Sequence, residues 1–289
     1  MNLPLYTWLI GPFEAFSFMR IALVACLALS LANGPLGALL LLRRMSLDGD
    51  VLSHAVMPGA ALGFLYAGHS LLAMSFGGMA SGVVVAALAG LLARVRPKRH
   101  DAGLVAFYLV ALSAGVLLVA MVGSNVDVMR VLFGTVLAID VRSLVQIATV
   151  ASLTLLLLAA FYRPLAVDSF DPLFLRVAGG SGIFRGLFVM LVLLDLVVSF
   201  QAFGTLLAIG PMLLPAAAAR CWTNKVGVMA ALATAFGMLA CYAGLLISYH
   251  ANLPSGPAIV LGAGFLYGLS LMATGLKRRA QAAIGGKFA

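Results

Sequence analysis

Residues 16–59 read FSFMRIALVACLALSLANGPLGALLLLRRMSLDGDVLSHAVMPG. The part from 16 to 42 is almost entirely apolar and is long enough to cross the roughly 30 Å hydrocarbon core of a bilayer as a helix. The part from 43 to 59 brings two arginines, two aspartates and a histidine to the mouth of the next apolar segment. An ionisable side chain in lipid costs about 3 kcal/mol on insertion scales, so its presence there indicates a functional site.

The whole chain has the composition of an integral membrane protein. Of its 289 residues, 63% are hydrophobic and only 9% are charged, and the mean hydropathy is +1.13. A soluble domain carries about 25% charged residues. The apolar runs are long and lack the alternation of an outer-membrane barrel, so they predict helices. The net charge of +9 lies in short clusters between these runs, which is typical of membrane orientation and argues against nucleic-acid binding.

The apolar runs predict an all-α polytopic membrane protein with about nine transmembrane helices (eight to nine). They belong to a single domain, residues 1–289. The runs lie near 16–42, 52–68, 71–93, 103–122, 141–161, 184–200, 202–219, 226–248 and 257–276. The pair around 184–219 also fits one broken helix plus a shorter one.

The lysines and arginines predict the orientation of these helices. With nine spans, every basic cluster falls on one side, which is the cytoplasm by the positive-inside rule. The clusters are Arg43/Arg44, residues 94–99, Arg163 with Arg176 and Arg185, Arg220 with Lys225, and residues 277–279. We therefore expect the N-terminal segment 1–15 outside and the tail 277–289 in the cytoplasm.

Two predicted loops are unusually long. The outer loop, residues 123–140, contains a short apolar stretch at 128–134 that we interpret as a re-entrant or interfacial segment. The inner loop, residues 162–183, contains a short helix that Asp171-Pro172 begins and Gly179-Gly180 ends. That helix is either a docking element or a solvated connection.

Asp50 and His54 are the first candidates for chemistry. Their spacing of four places both on one face of a helix, and an oxygen with an imidazole nitrogen suits Zn²⁺ or Mn²⁺. Alternatively, Asp50 caps a helix that begins near Val51 while His54 bonds a neighbour. Asp48 points away from Asp50, and we expect it to face the Arg43/Arg44 cluster.

Five further polar residues are candidates for a pathway, each with a structural alternative. Asp127 and Asp140 either attract cations at the outer entrance or are solvated acids and caps. Asp195 lies in the middle of a span, with Gln201 six residues later, so it must face the bundle interior or a wet cavity. His250 either collects metal at the outer end of a span or is an interfacial anchor.

No motif for nucleotide binding or catalysis is present in the sequence. It has no G-x-x-x-x-G-K-[ST] phosphate cradle, so a nucleotide-driven process would need a partner subunit. It also has no nucleophile and base at a catalytic spacing.

The motif from Arg43 to Gly59 resembles the signature of the permeases of bacterial manganese/zinc/iron ABC importers. Other segments of the same family pattern follow in the expected order, at 132–134, 162–172 with Gly179, 201–211 and 253–260. The resemblance covers nearly the whole chain.

The resemblance implies a homodimeric permease in the bacterial inner membrane with a fold like that of the vitamin B12-type importers. Its partners would be a cytoplasmic ATP-binding subunit and an extracytoplasmic metal-binding protein. Asp50 and His54 would be pathway metal ligands. Residues 162–183 would couple to the ATPase, with Arg163, Pro164, Phe170, Asp171, Pro172 and Gly179 as the matching positions.

We therefore expect the permease of an ATP-driven importer of divalent metal, with zinc slightly preferred to manganese. The metal would be cargo moved by alternating access, not a permanently bound cofactor, and the chain itself would not be an enzyme. One alternative is a proton-coupled secondary metal transporter, whose intramembrane acids relay protons. Another is an intramembrane metal-dependent hydrolase.

Overall fold

The apolar runs form helices in a computed structural model that describes residues 4–68, 70–95, 100–121, 134, 136–170, 181–204 and 207–285. A 3-10 turn, Val136–Ala138, precedes the seventh helix. The α-helices of these residues are α1 Pro4–Leu9, α2 Gly11–Ala15, α3 Ser17–Leu42, α4 Ser46–Ala67, α5 Leu71–Val95, α6 His100–Met121, α7 Val141–Ala160, α8 Tyr162–Phe170, α9 Ser181–Phe203, α10 Gly210–Trp222, α11 Val226–Ala251 and α12 Ser255–Gly285.

Six of the described helices contain a segment that is long and apolar enough to cross a membrane. The prediction of eight to nine spans therefore exceeds what the described residues contain. The segments are Ser17–Leu42, Leu71–Leu91, Val141–Ala160, Gly182–Phe203, Val226–Ala251 and Ser255–Gly275.

The three remaining predicted spans coincide with α4, α6 and α10. In the described residues, these helices contain no segment that is both long and apolar enough to cross a membrane. The first turns of α4 carry Asp48 and Asp50. The apolar part of α6 is only Val105–Leu118. Helix α10 has 13 residues, and at 1.5 Å per residue it is about 20 Å long, shorter than the bilayer core. The region 184–219 thus contains one long helix and one short helix, separated by a break around Gly204.

Small residues allow close packing of α4 on its neighbours. A Cβ built on Gly59 of α4 would collide with the carbonyl oxygen of Gly77 of α5. One built on Gly115 of α6 would lie 2.7 Å from the side chain of Met57 on α4. Helix α4 is therefore held between α5 and α6, as small residues at a membrane helix interface permit.

Two apolar clusters form most of the core. The Arg43-side cluster lies next to the end of α3 and includes Leu36, Leu158, Leu165, Phe188 and Leu191. The His250-side cluster lies toward the other end of α3 and includes Leu29, Ile147, Val198, Phe203 and Leu245. Helices α3, α7 and α9 contribute to both clusters and so form the centre of the bundle.

The predicted loops and tails are only partly within the described residues. Residues 128–133 of the expected re-entrant stretch and the expected helix at 171–180 lie outside them. A helix does occupy the start of the inner loop, but it is α8, Tyr162–Phe170. At the N-terminus, α1 and α2 are held against α11, where the Tyr242 hydroxyl donates a 3.0 Å hydrogen bond to the Leu9 carbonyl. At the other terminus, α12 continues to Gly285.

Candidate metal centre

Asp50 and His54 lie on one face of α4, within its first three turns. The helix begins at Ser46, so Asp50 is inside it. The alternative in which Asp50 caps a helix beginning near Val51 is therefore wrong. His54 Nε2 lies 3.8 Å from Asp50 Oδ1, and the exposed fractions of the two side chains are 5% and 45%. The imidazole is thus buried, while the carboxylate is open on one side.

This arrangement suits two ligands on one metal ion. At bond lengths of about 2.1 Å, two ligand atoms that subtend 90–110° at a metal stand about 3.0–3.4 Å apart. A small rotation of the half-exposed Asp50 side chain would close the difference from 3.8 Å. Within the described part of the chain, no group of three or more His, Cys, Asp or Glu side chains is placed to hold a metal. Asp50 and His54 alone would fill only part of the coordination sphere of such an ion.

The apolar continuation of the same face fixes the position of the pair. Met57 and Ala61 follow His54 at helical spacing and pack against Leu112 and Leu118 of α6. The candidate centre consequently lies on the side of α4 that turns toward α6, next to this apolar contact between the two helices. The Ser53 hydroxyl donates a 2.8 Å hydrogen bond to the Asp50 carbonyl, which ties this turn to its own backbone.

Asp48 lies on a different face of α4 from the pair. With Arg185 it lines a cavity of about 80 Å³ between α4, α5 and α9. Arg43 pairs with Asp168 of α8, whereas a contact of Asp48 with Arg44 stays a prediction.

The Arg43 side chain joins α3 to α8 in a buried network that sequence reasoning missed. Its Nη1 lies 2.8 Å from Asp168 Oδ2, and these side chains are only 4% and 7% exposed. Its Nε donates to Ser169 Oγ and its Nη2 to the Leu165 carbonyl, both at 3.0 Å.

The surroundings of Arg43 keep its guanidinium protonated. The guanidinium carbon lies 4.0 Å from the ring centroid of Phe188, a cation–π geometry. Burial lowers the pKa of the guanidinium to about 10, and the charge of Asp168 opposes that effect. Arg43 therefore remains cationic at neutral pH.

The other predicted pathway residues are dispersed. Asp195 is fully buried on α9. The Gln201 amide donates a 2.9 Å hydrogen bond to Ser75 Oγ, which also accepts one from Gln146 at 2.6 Å. Asp195 and Gln201 are on α9, whereas Asp50 and His54 are on α4.

At the far end of the bundle, two candidates have structural partners. Asp140 is the N-cap of α7, and its Oδ1 accepts a 2.8 Å hydrogen bond from the Ser143 amide. Hydrogen bonding to the Ser143 side chain, and then to its amide, holds the pKa of that carboxyl below its usual value. His250 stacks on Trp8 with ring centroids 4.6 Å apart, and its Nε2 lies 3.1 Å from the Trp8 carbonyl oxygen. Asp127 lies outside the described residues.

Of the predicted coupling positions, some lie on α8 and the others lie outside the described residues. Arg163 and Phe170 are exposed on α8, and Pro164 is half-buried. Asp171, Pro172 and Gly179 lie outside the described residues. The exposed side chains of α8 remain available to a partner, while Asp168 fixes the other side of the helix to Arg43.

Comparisons with known proteins agree with one another. The chain matches the family described as the ABC 3 transport family over residues 15–274. It is 32% identical over 260 residues to the manganese transport system membrane protein MntC of Listeria monocytogenes, covering 89% of this chain and 91% of that protein. It is 30% identical over 281 residues to the manganese import system permease protein ScaB of Streptococcus parasanguinis, covering 96% and 98%.

The fold is also similar to a solved structure. A chain of PsaBC from Streptococcus pneumoniae in complex with Fab superposes with a TM-score of 0.84 at 30% sequence identity. The match covers 91% of this chain and 94% of that one.

Proposed function

The chain belongs to the ABC 3 transport family, and from this membership we propose that it is the permease subunit of an ATP-driven importer of a divalent transition metal. The resemblance that the sequence motifs indicated is confirmed by the same membership. One observation carries the assignment of the cargo. The Asp50 carboxylate and the His54 imidazole lie 3.8 Å apart on one face of α4, in a chain with 9 acids and 4 histidines in all.

A second copy of the chain would complete the coordination. Asp50 is about half exposed, so its carboxylate can reach a ligand sphere shared with another molecule. Two copies related by a two-fold axis would bring two carboxylates and two imidazoles to one ion. This set contains no thiolate, and such a site can bind a divalent ion and still release it.

Manganese is the cargo we propose first, ahead of zinc. The ligand set of oxygens and imidazole nitrogens accepts both ions, and no residue of the sequence supports the slight preference for zinc. The names of the relatives MntC and ScaB assign those proteins to manganese. The relatives therefore favour manganese here.

Transport would proceed by alternating access with energy from a partner. The sequence contains no phosphate cradle, so a cytoplasmic ATP-binding subunit would hydrolyse the nucleotide. It would dock on the exposed side of α8 and on the residues that follow it. Arg43 contacts α8 and lies three residues before α4 begins. Motion of the docking segment can therefore reach the helix that carries Asp50 and His54.

The remaining parts of the proposal follow from charge and topology. The basic end of the bundle would face the cytoplasm of a bacterium, with the N-terminus outside. An extracytoplasmic metal-binding protein would deliver the ion to the opposite end, where Asp127, Asp140 and His250 are candidates for the entrance.

The test distinguishes ATP from a pH gradient as the energy source for transport. We would reconstitute the chain with its ATP-binding partner in liposomes and supply the metal-loaded binding protein. ATP-dependent uptake of Mn²⁺ that persists when the pH gradient is collapsed supports the importer. Uptake driven by a pH gradient without ATP would support the proton-coupled alternative and contradict the proposal.

A further inference from the structure

Gly49 lies inside helix α4, directly before Asp50, and its backbone does not require a glycine. The helix begins at Ser46, the Gly49 amide donates a 3.0 Å hydrogen bond to the Met45 carbonyl, and the φ angle of Gly49 is negative. A glycine inside a helix destabilises it by about 0.5–1 kcal/mol relative to alanine. The need for a glycine therefore arises from the space around the residue.

Two side chains fill the space in which a Cβ of residue 49 would lie. A Cβ built on Gly49 would be 3.1 Å from Ile209 Cδ1 and 3.1 Å from Leu40 Cδ2. Two carbon atoms in favourable contact stand about 3.5–4.0 Å apart, so this space does not admit a methyl group. Gly49 is also buried. The missing Cβ thus forms a notch in α4, which we call the Gly49 notch.

Leu40 is tied to α4 through the turn that joins α3 to α4. Its carbonyl accepts a 3.0 Å hydrogen bond from the amide of Met45, the residue directly before α4. Its side chain is only 1% exposed, which leaves it little room to rotate away. Of the two neighbours of the notch, Ile209 is therefore the one that a separate part of the chain supplies.

Ile209 is held at the start of α10. It lies directly before that helix, and its carbonyl accepts hydrogen bonds from the amides of Met212 and Leu213 at 3.2 and 3.0 Å. The next residue, Gly210, packs on α12, because a Cβ built on it would lie 3.1 Å from both Cγ atoms of Val260. Isoleucine is branched at Cβ and therefore stiff about χ1. These restraints hold the Ile209 side chain in the notch.

Helix α3 fixes the position of α10 on another side. A Cβ built on Gly37 of α3 would collide with the Met212 carbonyl oxygen, so the backbones of the two helices are in contact there. Helix α10 has 13 residues and follows the break around Gly204. Ile209 is thus a point at which a short helix packed on α3 and α12 reaches α4.

The notch and the candidate metal ligands lie on different faces of the same turns of α4. Gly49, Leu52 and Val56 share one face, and Leu52 and Val56 belong to the Arg43-side cluster. Asp50 is about 100° around the helix from Gly49 and shares its own face with His54. A group that presses on the Gly49 face consequently shifts the backbone of Asp50 without entering the metal site.

We propose that Ile209 is a positioning residue for the metal ion and holds the turn that carries Asp50 through its contact in the Gly49 notch. The inference rests on the proposed function, because it takes Asp50 and His54 as the ligands. Lengthening a 3.1 Å contact to about 3.5 Å requires a shift of about 0.4 Å. Such a shift exceeds the roughly 0.2 Å by which distances in a metal site vary.

The test moves one methyl group across this contact. Gly49→Ala adds a methyl group to the notch, and Ile209→Val removes the Cδ1 methyl group that occupies it, so the double variant keeps the number of carbon atoms. Each variant is studied as the full chain with its ATP-binding partner in nanodiscs. Equilibrium dialysis measures the affinity for Mn²⁺, and the electron paramagnetic resonance spectrum of the bound Mn²⁺ reports the geometry of its ligands.

Gly49→Ala should weaken Mn²⁺ binding at least about tenfold, as the loss of a supporting group at a metal site does, and should change the spectrum. Ile209→Ala, which leaves the notch empty, should weaken binding as well. The double variant Gly49→Ala with Ile209→Val should recover most of the affinity and the spectrum of the parent.

Two controls separate this effect from general effects on the helices. Gly90→Ala, on α5, adds a methyl group where nothing lies within 4 Å of a Cβ. It makes the same change in helix propensity and should bind Mn²⁺ as the parent does. Gly59→Ala strains α4 against α5 instead, and Ile209→Val should not rescue it.

The outcomes distinguish this inference from the function on which it rests. Parent affinity in Gly49→Ala or in Ile209→Ala, or a double variant as weak as Gly49→Ala, would overturn the role of Ile209 while leaving the metal centre intact. A parent protein that binds no Mn²⁺ would contradict the proposed function, and this inference with it.

Discussion

The guanidinium of Arg43 lies 2.8 Å from the carboxylate of Asp168, and both side chains are buried. Arg43 follows the last residue of α3, and Asp168 is on α8, whose exposed side is the proposed docking surface for the ATP-binding subunit. The same arginine lies three residues before the start of α4. One ion pair therefore connects the proposed coupling region to the base of the helix that carries Asp50 and His54.

Breaking this pair should destabilise the protein and uncouple it. Arg43→Gln leaves Asp168 buried without its cation, which typically costs about 3–5 kcal/mol. We expect a lower melting temperature and ATP hydrolysis that no longer responds to the metal-loaded binding protein. The neighbouring Arg44 is exposed, so Arg44→Gln is the matched control and should retain coupling. Normal stability and coupling in Arg43→Gln would show that the ion pair has neither role.

A double substitution separates the two effects of that pair. Replacing both partners, as in Arg43→Met with Asp168→Leu, removes the charges together and should restore much of the stability. If the pair also transmits motion, coupling should remain impaired in a protein whose melting temperature has recovered. Recovery of both properties would assign the pair to stability alone.

The close contact of α4 with α5 should not tolerate a side chain. Gly59→Ala would place a Cβ against the Gly77 carbonyl oxygen, and overpacking of this kind typically costs about 1–3 kcal/mol. We expect a lower melting temperature and weaker metal uptake, because α4 must shift. Gly90→Ala, on α5, is the control, since nothing lies within 4 Å of a Cβ there. Equal stability of the two variants would contradict the packing.

The cap of α7 predicts a limited pH effect. Hydrogen bonding to the Ser143 side chain and amide lowers the pKa of the Asp140 carboxyl. The cap therefore stabilises the folded state above the pKa of an unfolded aspartate, and this stabilisation is lost as the pH falls through the lowered pKa of the folded state. Asp140→Ala should reduce stability at neutral pH, whereas Asp140→Asn should not, because asparagine also caps helices well. Thermal unfolding of both variants between acidic and neutral pH measures this, and identical curves would refute the cap.

The sequence predicts the helices well where hydropathy alone decides. The runs 16–42 and 226–248 correspond to α3 and α11 within a few residues. The run 52–68 begins too late, because the polar residues from Ser46 to Asp50 resemble a loop although they are helical. Two of the additional predicted spans coincide with α4, whose first turns carry two acids, and with α10, which has only 13 residues.

The site was predictable where it is local and unpredictable where it depends on packing. The spacing of Asp50 and His54 is sufficient to place them on one face. In contrast, Asp48 is nearer than Asp168 to Arg43 in sequence, and no local signal distinguishes the two acids as partners. The Ser75 hydroxyl likewise accepts hydrogen bonds from Gln146 and Gln201 on two other helices, and a single sequence does not show which faces of those helices meet.

The most direct test of the account is metal binding by the purified permease with its ATP-binding partner. Equilibrium dialysis with Mn²⁺ should give one ion per two chains for the parent protein. Loss of a supporting hydrogen bond at a metal site costs about 10–100-fold in affinity, so Asp50→Asn or His54→Gln should weaken binding by more than that, while Glu14→Gln, at an exposed acid of α2, should bind as the parent does. Unchanged affinity and stoichiometry in both the Asp50 and the His54 variants would contradict the central claim.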